Sequence, residues 1–178
     1  MKKQIDVFDY AGAIMKALSR GVLLTTKANG RVNTMAISWG TLGIEWSKPI
    51  FTTVVRTGRF TREMLDANGE FTVNIPVEDS DRSLIGKCGS VSGRNVDKIA
   101  VNKLTLIDGD KVSVPAIKEF PLTLECRVVQ KQLQDKTALD EELRTKFYPE
   151  DVASDKPGNN ADPHIAYVGE IVAAYVME

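Results

Sequence analysis

The dipeptide Asn29-Gly30, set between VLLTTKA and RVNTMAIS, constrains this chain more than any other feature. Both residues tolerate the positive φ angles of a tight turn, and the flanking segments carry the apolar and β-branched residues of strands. The spacing predicts a β-hairpin over residues 22–38. Its second strand is unusual, because Asn33, Thr34, Ala36 and Ser38 put small or polar side chains where a core strand carries bulk. Two readings stand at this level. The small residues let a flat ligand lie against the backbone, beside the aromatic surface of Trp39, or they mark a crowded barrel corner.

Other local signals place further elements around the hairpin. DYAGAIMKALSRG reads as a short amphipathic helix capped by Asp9 and ended by Gly21. After a turn at Lys48-Pro49, IFTTVVR is a strand, GRFTREMLDANGEF a helix stopped at Asn68-Gly69, and FTVNIP another strand. Residues 78–103 read as an ordered loop with a helical turn over 81–88, and LTLIDGDKV as a hairpin. PLTLECRVVQKQLQ alternates Leu122, Leu124, Cys126 and Val128 against Thr123, Glu125 and Arg127, which is the pattern of a half-buried strand; AYVGEIVAAYVM closes the series. Strands interrupted by single short helices, rather than regular βαβ units, predict a mostly antiparallel barrel. With 178 residues, the whole chain, 1–178, is expected to be one domain. Between 137 and 163, Leu139, Leu143 and Phe147 suit one helical face, and DVASDKPGNNADP then reads as a mobile surface loop or as a lid or dimer arm over a site.

Charge and cysteine usage narrow the function classes. A net charge of -1 supplies no general attraction for a polyanion, so no nucleic-acid partner is expected. No stretch approaches the roughly 18–20 apolar residues of a membrane span, and the N-terminus lacks a secretory pattern, so no membrane partner is expected and the expected location is cytoplasmic. Cys88 and Cys126 are far apart and the only imidazole is His164, which gives no metal-ligand spacing and no expected metal site. Cys88 is read as a buried thiol. His164, just before the last strand, is either an ordinary loop histidine or a group that meets a ligand near neutral pH.

A second segment carries chemistry. In VVRTGRFTRE, Arg56, Arg59 and Arg62 interleave with Thr57, Gly58 and Thr61 just before a predicted helix. Guanidinium forks, hydroxyls and free N–H groups at a helix start form an anion site with phosphate as the natural guest, the alternative being an ordinary helix start with solvated arginines. A ligand that joins a flat ring system to a terminal phosphate could touch both segments, and flavin mononucleotide (FMN) has that shape.

GVLLTTKANGRVNTMAISWG, the following KPIFTTVVRTGRFTREML and FTVNIP, SGRNVDK at 92–98 and the terminal YVGEIVAAYV resemble the flavin reductase-like family of FMN-binding split barrels, flavoredoxins included. The resemblance covers nearly the whole chain. It implies a mainly β fold, a six-stranded antiparallel split barrel with a few short helices, and a homodimer holding FMN noncovalently near its interface. By the same resemblance, Asn33, Thr34, Met35, Ala36, Ser38 and Trp39 line the ring system and ribityl chain. Arg56, Thr57 and Thr61 meet the phosphate, Lys98 adds a positive contact, and Tyr167 contributes from the last strand. The implied activity is an NADH- or NADPH-dependent flavin reductase, with a flavoredoxin-like carrier fed by a redox-protein partner as the alternative. No protein nucleophile or acid–base dyad is required, since the hard chemistry is the flavin's.

Overall fold

A computed structural model describes residues 1–154, 156 and 158–178. Asp155 and Pro157, inside the stretch read as a loop, lid or arm, lie outside the described residues. The strands are β1 Lys2–Gln4, β2 Val22–Ala28, β3 Arg31–Ile37, β4 Gly40–Glu45, β5 Lys48–Arg56, β6 Glu70–Ile75, β7 Leu106–Ile107, β8 Ala116–Ile117, β9 Leu122–Leu133 and β10 His164–Met177. The α-helices are α1 Ala11–Leu18, α2 Phe60–Ala67, α3 Ser83–Gly89, α4 Lys98–Val101 and α5 Glu141–Phe147. None among the described residues is long and apolar enough to cross a membrane.

The predicted hairpin forms between β2 and β3, with Asn29 at φ 51° and Gly30 at φ 76°. The main sheet is antiparallel, in the order β3-β2-β6-β9-β10-β5-β4, with β1 added along β10. Eight strands therefore share the sheet where the family pattern implies six. β2, β3, β5, β6, β9 and β10 correspond to segments read as strands. The additions are β1, three residues of KKQ, and β4, a glycine-containing run with little apolar alternation.

Three local expectations are corrected. Asp6, not Asp9, caps the N-terminal helical turn, accepting from Phe8 N at 2.9 Å ahead of α1. The β4–β5 turn is Trp46-Ser47, at φ 50° and 59°, while Lys48 and Pro49 already belong to β5. LTLIDGDKV is no hairpin, because β7 pairs with β8 across a longer loop. The loop wraps a buried carboxylate instead: Glu125 accepts from the N–H groups of Asp110 and Lys111 at 2.7 Å and of Val112 at 3.2 Å. That wrapping also corrects the half-buried reading of β9. Thr123 and Glu125 are as buried as Leu124, and only from Arg127 onward does the strand emerge.

The main core gathers Leu24, Phe51, Val55, Phe71, Val73, Leu124 and Tyr167 inside the curled sheet. Each phenylalanine contributes roughly 1.5–3 kcal/mol through burial. A smaller cluster, Leu23, Leu84, Cys88, Leu104, Ile117 and Phe120, covers the other face of β2. β2 is thus buried on both sides, which explains its unbroken apolar start. β3, with only β2 as a strand partner among the described residues, is an edge whose second row of backbone groups has no ladder partner among them.

Candidate functional site

Three segments far apart in sequence meet beside β3. Asn33, 3% exposed, donates from Nδ2 to Thr61 Oγ1 at 3.0 Å, tying the edge strand to the first turn of α2. Gly93 seats against both, since a Cβ there would collide with Asn33 Oδ1 and lie 3.1 Å from the Phe60 ring. Arg31 donates to Gly93 O and stands 5.0 Å from the Phe60 centroid. Arg94 donates to Gly58 O at 3.0 Å, pairs with Glu63 and stands 5.8 Å from the same ring. The strand, the α2 start and residues 92–98 form one continuous patch.

The small residues of β3 divide by face. Thr34 is fully buried, donating to Leu24 O at 3.2 Å and accepting from Thr25 Oγ1 at 3.1 Å. Ala36 receives α3: a Cβ on Gly89 would stand 3.1 Å from its methyl. Met35 is partly buried against the main core, and Ser38 is exposed. Trp39, 38% exposed, meets Phe147 edge-on at 5.1 Å and His164 at 5.2 Å.

At the end of β5 a cationic corner is packed by the chain itself. Arg56, 5% exposed, donates from Nη1 to Asn160 O at 3.1 Å and Asp162 O at 2.8 Å, and from Nη2 to Phe147 O at 2.7 Å. Its guanidinium lies 4.9 Å from the Tyr148 ring. Arg59 donates to Lys156 O at 3.1 Å and Gly158 O at 3.0 Å. Burial holds both guanidinium pKa values below their ordinary level, and each arginine feels the carboxylate of Asp162 in compensation. The segment ahead of β10 is therefore tied down in its described residues, with Asn160 fully buried. Among the described residues no side chain caps the start of α2 at Arg59.

Thr57 is half-buried and donates its N–H to Pro163 O at 3.0 Å. Lys98 is 5% exposed; among the described residues the one hydrogen bond of its ammonium runs from Nζ to Cys88 O at 2.7 Å. Burial, aided by Arg59, lowers its pKa. The Cys88 thiol is pushed up by burial despite Lys98 and Lys87, which suits an inert buried thiol. Tyr167 lies apart from this patch, 1% exposed in the main core, with its hydroxyl donating to Asp66 Oδ1 at 3.0 Å. His164 is 6% exposed, its Nδ1 2.8 Å from the Tyr148 hydroxyl, which itself donates to Gln134 Oε1 at 2.6 Å.

Sequence reasoning missed Asp162, Asn160 and Phe147 as neighbours of Arg56. One signal could have found two of them. β10 pairs with β5 so that His164 stands opposite Arg56, and the residues just before His164 must then fall on that arginine.

Fold and corner together define a split-barrel protein with a cationic corner beside an edge strand and a helix start. The chain belongs to the flavin reductase-like family: the family model described as "Flavin reductase like domain" matches residues 15–178. A curated protein of Archaeoglobus fulgidus is 33% identical over 98 residues, 55% of this chain and 54% of that relative, so the chain spans about half of that relative's length. Flavoredoxin from Methanosarcina acetivorans is similar at 30% identity and TM-score 0.64, over 89% of this chain and 68% of that one. A protein with a split barrel domain from Shewanella frigidimarina shares the fold at 18% identity and TM-score 0.66, over 98% and 76% of the two chains.

Proposed function

We propose that this protein is an FMN-binding oxidoreductase, in the form of an NAD(P)H-dependent flavin reductase. The observation that carries the reading is the Asn33–Thr61 hydrogen bond, because it joins the strand suited to a flat ring system to the helix start suited to a phosphate. The donor set fits a phosphate monoester: an uncapped α2 start, the cations of Arg56 and Arg59, and a buried Lys98 with a single carbonyl partner among the described residues. Thr57 and Thr61 add hydroxyls. Along β3, the outer edge away from β2 suits the polar rim of the rings, with Trp39 bordering them. FMN, when bound, supplies the redox chemistry. The chain's own residues bind it, orient it and hold positive charge beside it.

A homodimer is part of the same reading. Ile44 and Trp46, 69% and 55% exposed on the β4–β5 hairpin, offer apolar surface for a second copy. A cytoplasmic location without nucleic-acid or membrane partners accords with the near-neutral charge.

The similarity to a flavoredoxin favours a second reading, an electron carrier fed by a redox protein with no nicotinamide site. Reconstitution decides both. The purified protein is expected to take up FMN and to bleach at the flavin absorbance when NADH or NADPH is added without oxygen. Flavin uptake without bleaching by either nucleotide would leave the carrier reading; no uptake would sink both.

A further inference from the structure

The chain's own oxygens occupy the donors of the cationic corner. The Gly58 N–H donates to Asp162 Oδ2 at 3.0 Å, and Ser154 Oγ donates to Asp162 Oδ1 at 2.6 Å. Both terminal nitrogens of Arg59 are taken by the carbonyls of Lys156 and Gly158, and Arg56 holds those of Asn160 and Asp162. The seat is shaped for this carboxylate, since a Cβ on Gly58 would collide with Asp162 Oδ2. Asp162 thus presents an anionic oxygen to a backbone N–H two residues ahead of α2, between the buried Arg56 and the partly exposed Arg59, which both feel its charge. A phosphate seeking those arginines and that N–H meets donors already in use.

We propose that Asp162 is a built-in competitor for phosphate at this corner, so that a phosphorylated ligand seats by lifting residues 160–162 from Gly58 and Arg56. The proposal rests on the flavin-phosphate reading above and adds its regulation. Removing the negative charge of Asp162 weakens the internal occupant and removes its repulsion of the incoming anion, and both effects favour the ligand. Riboflavin, which has no phosphate, is indifferent to the change.

The test compares the wild-type chain with Asp162→Asn and Asp162→Ala against inorganic phosphate, FMN and riboflavin. Inorganic phosphate requires no flavin site. At constant ionic strength, the rise in melting temperature that it produces is expected to be larger in both variants than in wild type. The FMN dissociation constant is expected to fall about tenfold in Asp162→Asn, the scale of one charge-assisted hydrogen bond, while that of riboflavin stays constant. Phosphate increments no larger than the wild type's in both variants overturn the proposal. Weaker FMN binding to Asp162→Asn also overturns it, and would make Asp162 a positioning group for the arginines. If no form takes up either flavin, the flavin reading falls while the phosphate increments still decide the role of Asp162.

Discussion

Asn33 and Thr61 lie 28 residues apart and share a buried hydrogen bond, Nδ2 to Oγ1 at 3.0 Å. Asn33→Ala leaves the Thr61 hydroxyl without its donor and is expected to cost about 1–3 kcal/mol in chemical denaturation. In a double-mutant cycle with Thr61→Val, a coupling of about 1 kcal/mol is expected. Strictly additive losses would show that the two segments are held together by something else.

Arg56 clamps the segment ahead of β10. Arg56→Ala leaves the carbonyls of Phe147, Asn160 and Asp162 without this donor and is expected to destabilise the protein by roughly 2–4 kcal/mol. Limited proteolysis should cut first between 147 and 162. The same variant should weaken FMN binding more than riboflavin binding. Unchanged stability and cleavage would mean that water satisfies those carbonyls.

His164 has its pKa lowered from 6.5 to about 4, first by burial and then by the cations Arg56 and Arg59, with Asp162 opposing. Between those values the unfolded chain binds more protons at this site than the folded one, so stability rises with pH. The contribution, on the order of 2–3 kcal/mol, is complete above about pH 6.5 and lost as pH falls toward 4. With the Tyr148 hydroxyl proton directed to Gln134, the neutral imidazole is expected to carry its proton on Nδ1. Because the chain has one histidine, a single nitrogen-15 NMR titration reads both tautomer and pKa. A midpoint above pH 6 would contradict the buried, cation-flanked position.

Ala36 accommodates α3 as well as any ligand on the strand. Ala36→Leu is expected to push Gly89 away and cost about 1–3 kcal/mol by overpacking, which thermal unfolding measures. Full stability with lost flavin uptake would assign the small side chain to ligand clearance alone.

Much of the barrel is written locally. Asn29-Gly30 specifies its hairpin because few dipeptides accept two positive φ angles, and the apolar face of Met64 and Leu65 selects α2. The segments that meet at the patch were recognisable from residue type and family pattern. β4 was not, because Gly40 and Gly43 hide its period, and neither was the wrapping of 110–112, which answers a carboxylate on another strand.

The sequence by itself determined the segments of β2, β3, β5, β6, β9 and β10, the β2–β3 hairpin register and the family, since these follow from short-range backbone preference and from patterned apolar residues. Only the tertiary structure decided what surrounds each polar group. Arg56 reads from sequence as a cation free for phosphate, yet the antiparallel register of β10 on β5 brings the carbonyls of 160 and 162 onto its guanidinium. Tyr167 reads from sequence as a ligand contact or as barrel packing, and strand alternation places it in the core with its hydroxyl on Asp66. Both outcomes depend on long-range pairing, which places a residue's neighbours without leaving a mark in the few residues around it.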